Sequence, residues 1–377
     1  IENVIGSQQN DELYGDNHAN ILNGGPGDDK LYGQGGDDIL IGGSGNDTLD
    51  GGTGRDTVDY SGNTSKGVII SLLTGLATGE ESDDDTLISL ENVIGTRFAD
   101  EITGDNNDNI ICGNGGNDTL AGLQGNDIYV FVPEWGIVTV TDSSGTDTVD
   151  FSRVNSDLTF VIGSTLLTVT NGANIVNNNG VEIERLIASS GNDTFKFEGT
   201  GVLKGSVDGR GGSNSLNFAD YANGIDVILS GFGSLNGYAG SSTIVTGGFD
   251  NISTLIGSNA EDRLSGYNAD STWTIDGDNN SYTVIGSNRF ISFSGFEKLQ
   301  GGNLTDRFII KPGQQAVDIQ AGGGNDSLEM EDDSILAGRF DGQGGYDTLD
   351  YSNVTGTVVV QLSGQLGYTD GFNGTIS

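Results

Sequence analysis

The chain has 377 residues, with 64 glycines, 3 prolines and a formal net charge of -39 from 54 acidic against 15 basic residues. That charge excludes nucleic acid and anionic lipid surfaces as partners, and the low proline count excludes collagen and proline-rich linkers. The one cysteine, Cys112, excludes an intramolecular disulfide, and no apolar run is long enough for a transmembrane helix.

From residue 6 to residue 59 the sequence runs in nonapeptides: GSQQNDELY, GDNHANILN, GGPGDDKLY, GQGGDDILI, GGSGNDTLD and GGTGRDTVD. Position 1 is always glycine, and position 4 is glycine at Gly27, Gly36, Gly45 and Gly54. Position 6 holds Asp11, Asn20, Asp29, Asp38, Asp47 and Asp56, and position 8 holds Leu13, Leu22, Leu31, Leu40, Leu49 and Val58. Positions 7 to 9 suit a short strand with position 8 inward. The remaining residues must turn the chain, and glycine at positions 1 and 4 is expected to supply the positive φ angles and close backbone approach.

Next in order, Val68, Ile70 and Leu72 alternate as a strand. The acidic run Glu80, Glu81, Asp83, Asp84 and Asp85 reads as a solvated loop. ENVIG occurs at 2–6 and again at 91–95, where it introduces a second array over 95–130: GTRFADEIT, GDNNDNIIC, GNGGNDTLA and GLQGNDIYV. Its position-6 residues are Asp100, Asn109, Asp118 and Asp127.

The second half has a longer period, because 157–197 aligns without gaps on 270–310. Nonapeptide-like turns return at Gly209, Ala321 and Gly342, and alternating strands follow at Ile225, Val227, Leu229 and at Val358, Val360, Leu362. Asp193, Asp306, Asp326 and Asp347 read equally well as turn residues or as ligands. The expected divisions are a first array (1–61), a β-rich connector (62–94), a second array (95–131), a β module (132–208), a degenerate turn with connector (209–269), a second module copy (270–320) and further degenerate turns with a truncated strand (321–377). The chain begins and ends in mid-pattern, so it reads as a piece of a longer polypeptide. Helical periodicity is nearly absent, and β-branched and aromatic residues carry the apolar positions.

One aliphatic per nine residues makes a thin core. Burying one leucine gains roughly 1.5–3 kcal/mol, whereas ordering each residue's backbone costs about 1–2 kcal/mol. Carbonyls and carboxylates in the turns form a hard-oxygen set that suits Ca²⁺. With two repeats per turn of a roll, each ion lies between repeats n and n+2. That pairs Asp11 with Asp29, Asn20 with Asp38, Asp29 with Asp47, Asp38 with Asp56, Asp100 with Asp118 and Asn109 with Asp127. Solvated turn aspartates are the plainer reading, but nine-residue spacing held over six repeats disfavours it.

These arrays resemble the RTX (repeats-in-toxin) family, and the second half resembles tandem modules of very large RTX-type bacterial surface proteins. The resemblance implies an all-β fold of right-handed parallel β-roll (β-solenoid) arrays with further β-rich repeat modules. It implies several Ca²⁺ ions held by the position-6 residues and the turn glycines, type I secretion and folding outside the cell. Asn20 and Asn109 replace aspartate, and Ala19, Gln9 and Ala99 break glycine or loop positions, so those sites are expected to be weaker or empty.

No catalytic set is legible. His18 is the one histidine, Cys112 has no histidine beside it in sequence, and no GxSxG occurs. Trp135, Trp273, Tyr267 and Tyr282 suit strand packing better than sugar stacking. The expectation is a non-enzymatic, calcium-binding structural segment of a secreted or surface protein, a stiff stalk or adhesive region. Its partners would be calcium ions and, for an adhesin, surface glycans or other cell-surface partners. The alternative is the non-catalytic export and folding region of a type I-secreted enzyme or toxin.

Overall fold

The computed structural model describes residues 2–63, 65–79, 84–179, 183–316, 318–359 and 373–374. Glu80, Glu81, Asp83, Val360 and Leu362 therefore lie outside the described residues. The described residues are all-β apart from the 3-10 turn Gly277–Asn279. No helix among them is long and apolar enough to cross a membrane. The chain divides into two units, residues 1–158 with 165–189, and residues 159–164 with 190–377.

In the first unit, successive nonapeptides alternate between two facing parallel ladders. One ladder runs Asn3–Ile5, Ile21–Pro26, Ile39–Ser44, Thr57–Asp59, Asn92–Ile94, Ile110–Cys112, Ile128–Val130, Asp147–Asp150 and Ile183–Ile187. The other begins Glu12–Tyr14, Lys30–Tyr32, Thr48–Asp50 and Asp84–Ile88. It continues through Leu76–Thr78, antiparallel to both Asp84–Ile88 and Ile69–Ser71, then Glu101–Thr103, Thr119–Ala121, Ile137–Thr141 and Ile175–Asn179. Residue n pairs with n+18 in the first repeats, as in Asn3 with Ile21 and Glu12 with Lys30. A nonapeptide is thus half a turn of a parallel β-roll.

The strands described between residues 65 and 94 are built into these same ladders. The strand Asn92–Ile94 pairs with Thr57–Asp59 on one side and Ile110–Cys112 on the other. ENVIG, which stands ahead of the second array in the sequence, thus supplies a strand of the roll itself. That strand follows Asp84–Ile88 after a short loop at 89–91, and it is the half-turn before it that is expanded, into the hairpin strands Ile69–Ser71, Leu76–Thr78 and Asp84–Ile88.

The second unit repeats the plan. One ladder runs Thr159–Ile162, Thr194–Gly199, Ser215–Tyr221, Thr254–Ile256 and Phe290–Ser294. It passes through antiparallel Ser281–Val284 to Ser271–Ile275, Asp306–Ile310, Ser327–Glu331 and Thr348–Asn353. The facing ladder holds Ser206–Asp208, Phe249–Ile252, Tyr238–Ser242, Asp226–Phe232, Arg263–Ser265, Lys298–Gln300, Asp318–Gln320 and Phe340–Asp341.

Packing explains where each unit gets its cohesion. In the first unit the position-8 column Leu22, Leu31, Leu40, Leu49, Val58, Ile102, Ile111, Leu120 and Tyr129 is fully buried. In the second unit aromatics thicken the core. Phe160 stacks on Phe195 at 4.6 Å, and Trp273 stacks on Phe308 at 5.5 Å and meets Tyr282 edge-on at 4.7 Å. Trp135, Trp273 and Tyr282 are buried, so strand packing is their use and sugar stacking is excluded for them. Cys112 is buried as well, and burial pushes its thiol further toward the protonated, unreactive form.

Candidate metal centre

The turn loops stack along the roll, and the position-6 side chains tie them together. Asp11 N–H donates to Asp29 Oδ1 at 2.7 Å, Asn20 N–H to Asp38 Oδ1 at 2.7 Å, Asp29 N–H to Asp47 Oδ1 at 2.8 Å and Asp38 N–H to Asp56 Oδ1 at 2.8 Å. In the second array Asp100 N–H reaches Asp118 Oδ1 at 3.0 Å and Asn109 N–H reaches Asp127 Oδ1 at 2.7 Å. The structure thus brings together each pair of residues expected from the n, n+2 register.

These hydrogen bonds use one oxygen of each carboxylate. The other, Oδ2, is buried without a hydrogen-bond partner in Asp29, Asp38, Asp56, Asp118, Asp127, Asp147, Asp326 and Asp347. A bare buried carboxylate oxygen is costly unless a cation or donor meets it. Burial pushes the carboxyls of Asp56 and Asp127 up to about 6, those of Asp147 and Asp326 up to about 7 and that of Asp118 up to about 8, with neighbouring carboxylates adding to each.

Position 2 separates two kinds of loop. Where it has positive φ, as at Gly25, Gln34, Gly52, Asn114 and Leu123, the position-6 Oδ2 is bare. In other loops the position-2 N–H turns inward and donates to the position-6 side chain. Ser7 does this to Asp11 at 2.5 Å, Asp16 to Asn20 at 2.7 Å, Thr96 to Asp100 at 2.7 Å and Asp105 to Asn109 at 2.8 Å. The ten position-6 residues singled out in sequence therefore divide into six in open loops and four closed by their own backbone.

The glycines act differently from the sequence expectation. Position 4 does take positive φ, at Gly27 (134°), Gly36 (102°) and Gly45 (123°). Position 1 does not. A Cβ on Gly24, Gly33, Gly42 or Gly122 would instead collide with the position-6 carboxylate of its own repeat. Position 1 is glycine because the carboxylate folds back over it, and the second positive φ falls at position 2.

Two residue sets were missed in the sequence. Asp85, assigned there to a solvated loop, is buried and accepts the Asp47 N–H at 2.8 Å, while Tyr60 Oη donates to its other oxygen at 2.8 Å. It sits at position 6 of the expanded half-turn, hidden because the expansion breaks the nine-residue count. Glu91, Glu184 and Glu297 take the same place, accepting the N–H groups of Asp56, Asp147 and Asp262. Position 5 forms a second ladder: Asn46 N–H donates to Asp28 Oδ1, Arg55 N–H to Asp37 Oδ1 and Asn126 N–H to Asp108 Oδ1. The recurrence of Asn or Asp at that position was the available signal.

In the second unit Asp306 N–H donates to Asp326 Oδ1 at 2.8 Å and Asp326 N–H to Asp347 Oδ1 at 3.0 Å, so these aspartates belong to a ladder and are not isolated turns. Asp193 N–H donates to Asn214 Oδ1 at 2.9 Å. The Asn214 amide nitrogen in turn reaches the carbonyls of Gly209, Gly211 and Asn251 at 2.6, 2.8 and 3.0 Å.

Stacked glycine turns, a register of two repeats and a row of buried oxygens with no donor are what a hard divalent cation would fit. The family of the RTX calcium-binding nonapeptide repeat matches residues 1–31, 24–58 and 92–129. These segments are RTX calcium-binding nonapeptide repeats. They make this part of the chain a calcium-binding structural region of the kind found in bacterial proteins, in a repeat family that is structural and not catalytic. No curated protein matches the chain. The RTX matches end at residue 129, whereas the ladder of position-6 hydrogen bonds continues through Asp127 to Asp147 and on to Glu184.

Proposed function

We propose that calcium ions sit between RTX loops n and n+2, and that their binding folds this chain into a stiff extracellular segment of a secreted or surface-attached bacterial protein. The observation that carries the reading is the buried row of partnerless Oδ2 atoms at Asp29, Asp38, Asp56, Asp118 and Asp127. The ligands are these carboxylates and Asp47, with loop carbonyls held close by Gly27, Gly36 and Gly45. Asp11, Asn20, Asp100 and Asn109, closed by their own amides, contribute weaker ligands. A chain of net charge -39 resists compaction until cations neutralise it. Extracellular calcium supplies that trigger, and the ladder's length then gives a stalk or adhesive region rather than a reaction centre.

The test is an ion count on the whole chain. Asp38 faces both Asn20 and Asp56, so Asp38→Ala is expected to lose or weaken two neighbouring ions, measured by equilibrium dialysis with calcium. An unchanged count and affinity would sink the n, n+2 assignment.

A second variant probes the rung where the chain supplies its own donor. The Asn214 amide reaches three carbonyls that an ion would otherwise use. Asn214→Asp replaces that donor by a carboxylate and is expected to add one calcium ion to the total. A variant that folds and binds no additional ion would show that those carbonyls are not placed for coordination.

A further inference from the structure

Beyond the matched repeats, residues 142–150 read DSSGTDTVD. This is a nonapeptide frame with Gly145 at position 4, Asp147 at position 6 and Val149 at position 8, but with Asp142 at position 1. The ten repeats of the two arrays all carry glycine there. The strand Asp147–Asp150 pairs in parallel with Ile128–Val130, so this loop stacks directly on the loop of Asp127.

The substitution brings a third carboxylate into the stack. One oxygen from each of Asp127, Asp142 and Asp147 lies within 4.8 Å of the others. Asp127 and Asp147 are fully buried, and the Oδ2 of each has no hydrogen-bond partner. Asp147 Oδ1 accepts the Asp127 N–H at 2.8 Å, which fixes the two loops in register. Asp142 is held from both sides, with Ser143 N–H donating to Oδ1 at 2.7 Å and Tyr129 Oη donating to Oδ2 at 2.6 Å. Tyr129 is itself fully buried at position 8, where the other repeats of the arrays place an aliphatic, and its hydroxyl accepts the Gly122 N–H at 2.7 Å. An aliphatic there could not orient Asp142. The tyrosine and the position-1 aspartate thus form a matched pair of departures from the repeat.

We propose that Asp127, Asp142 and Asp147 form a hard-cation site of the calcium class, with three carboxylates in place of the two that other loop pairs offer. The proposal rests on the reading that position-6 aspartates bind calcium. Affinity of oxygen sites rises with the number of charged ligands. This site therefore fills at lower calcium than the rest and holds the roll closed where the RTX matches end.

The experiment is a calcium titration of the whole chain against a chromophoric chelator, comparing the unaltered protein with Asp142→Asn and Asp142→Gly. The glycine variant restores the residue found at position 1 elsewhere and guards against a folding defect in the asparagine variant. Both are expected to lose the tightest binding step, weakening it about tenfold or more, with the later steps kept. Retention of that step in both variants would overturn the proposal while leaving the calcium reading standing. Absence of any calcium binding by the unaltered chain would overturn both.

Discussion

Chelating calcium at pH 7.5 is expected to abolish most of the β signal of the first unit, and restoring millimolar calcium to recover it. Far-ultraviolet circular dichroism against free calcium is the measurement. The physical reason is the balance inside each half-turn. One buried aliphatic contributes roughly 1.5–3 kcal/mol, while the loops stack buried carboxyl groups whose second oxygens meet no donor.

The same carboxylates set the pH dependence, and its sign is opposite in the two ionic states. Asp56, Asp118, Asp127 and Asp147 have folded-state pKa values near 6, 8, 6 and 7, raised by burial. Aspartate in an unfolded chain titrates near 3.9. A raised folded value means that the fold favours the protonated form. Without calcium, that stabilising contribution is complete below about pH 4 and is lost as pH rises through 6 to 8. The ion-free chain should therefore gain β structure as pH falls from 8 toward 5. With calcium the carboxylates must release protons to bind, so the calcium midpoint should rise over the same descent. An ion-free spectrum that is fully β-rich at pH 7.5 and indifferent to both calcium and pH would refute the coupling of binding to folding.

Gly43→Ala is expected to be among the most damaging single substitutions in the first array. Gly43 has φ of 111°, and an added Cβ would land on the carbonyl oxygen of Gly25 in the neighbouring stacked loop. Left-handed strain costs about 1–3 kcal/mol, and the clash pushes apart two loops that hydrogen-bond through Asp29 and Asp47. A loss of about 3 kcal/mol or more in calcium-saturated denaturant unfolding follows. Gly62→Ala is the control, since a Cβ there has nothing within 4 Å and φ is not in the left-handed region. It should fall within about 0.5 kcal/mol of the unaltered chain. Equal effects from the two substitutions would mean that loop stacking does not limit stability.

The nonapeptide period by itself determined a great deal. Glycine turns, an aliphatic every ninth residue and aspartates at fixed spacing imply alternating short strands, a single inward column and loops that meet two repeats apart. All of these follow from local geometry, because a strict repeat forces identical neighbours into identical contacts. Periodicity failed where the count was broken. Asp85, Glu91 and Asp147 occupy the same place in the ladder as Asp38, yet 38, 35 and 20 residues separate them from the backbone groups they accept. No fixed spacing could find them, because a hairpin can be inserted at a loop without disturbing the strand register. The tertiary structure alone decided which aspartates are bare and which are closed, since that depends on the direction of one position-2 peptide. It also decided that position 1 is glycine for want of room beneath a carboxylate. In that light Asp142 at position 1, unremarkable in the sequence, becomes a third acid beside Asp127 and Asp147.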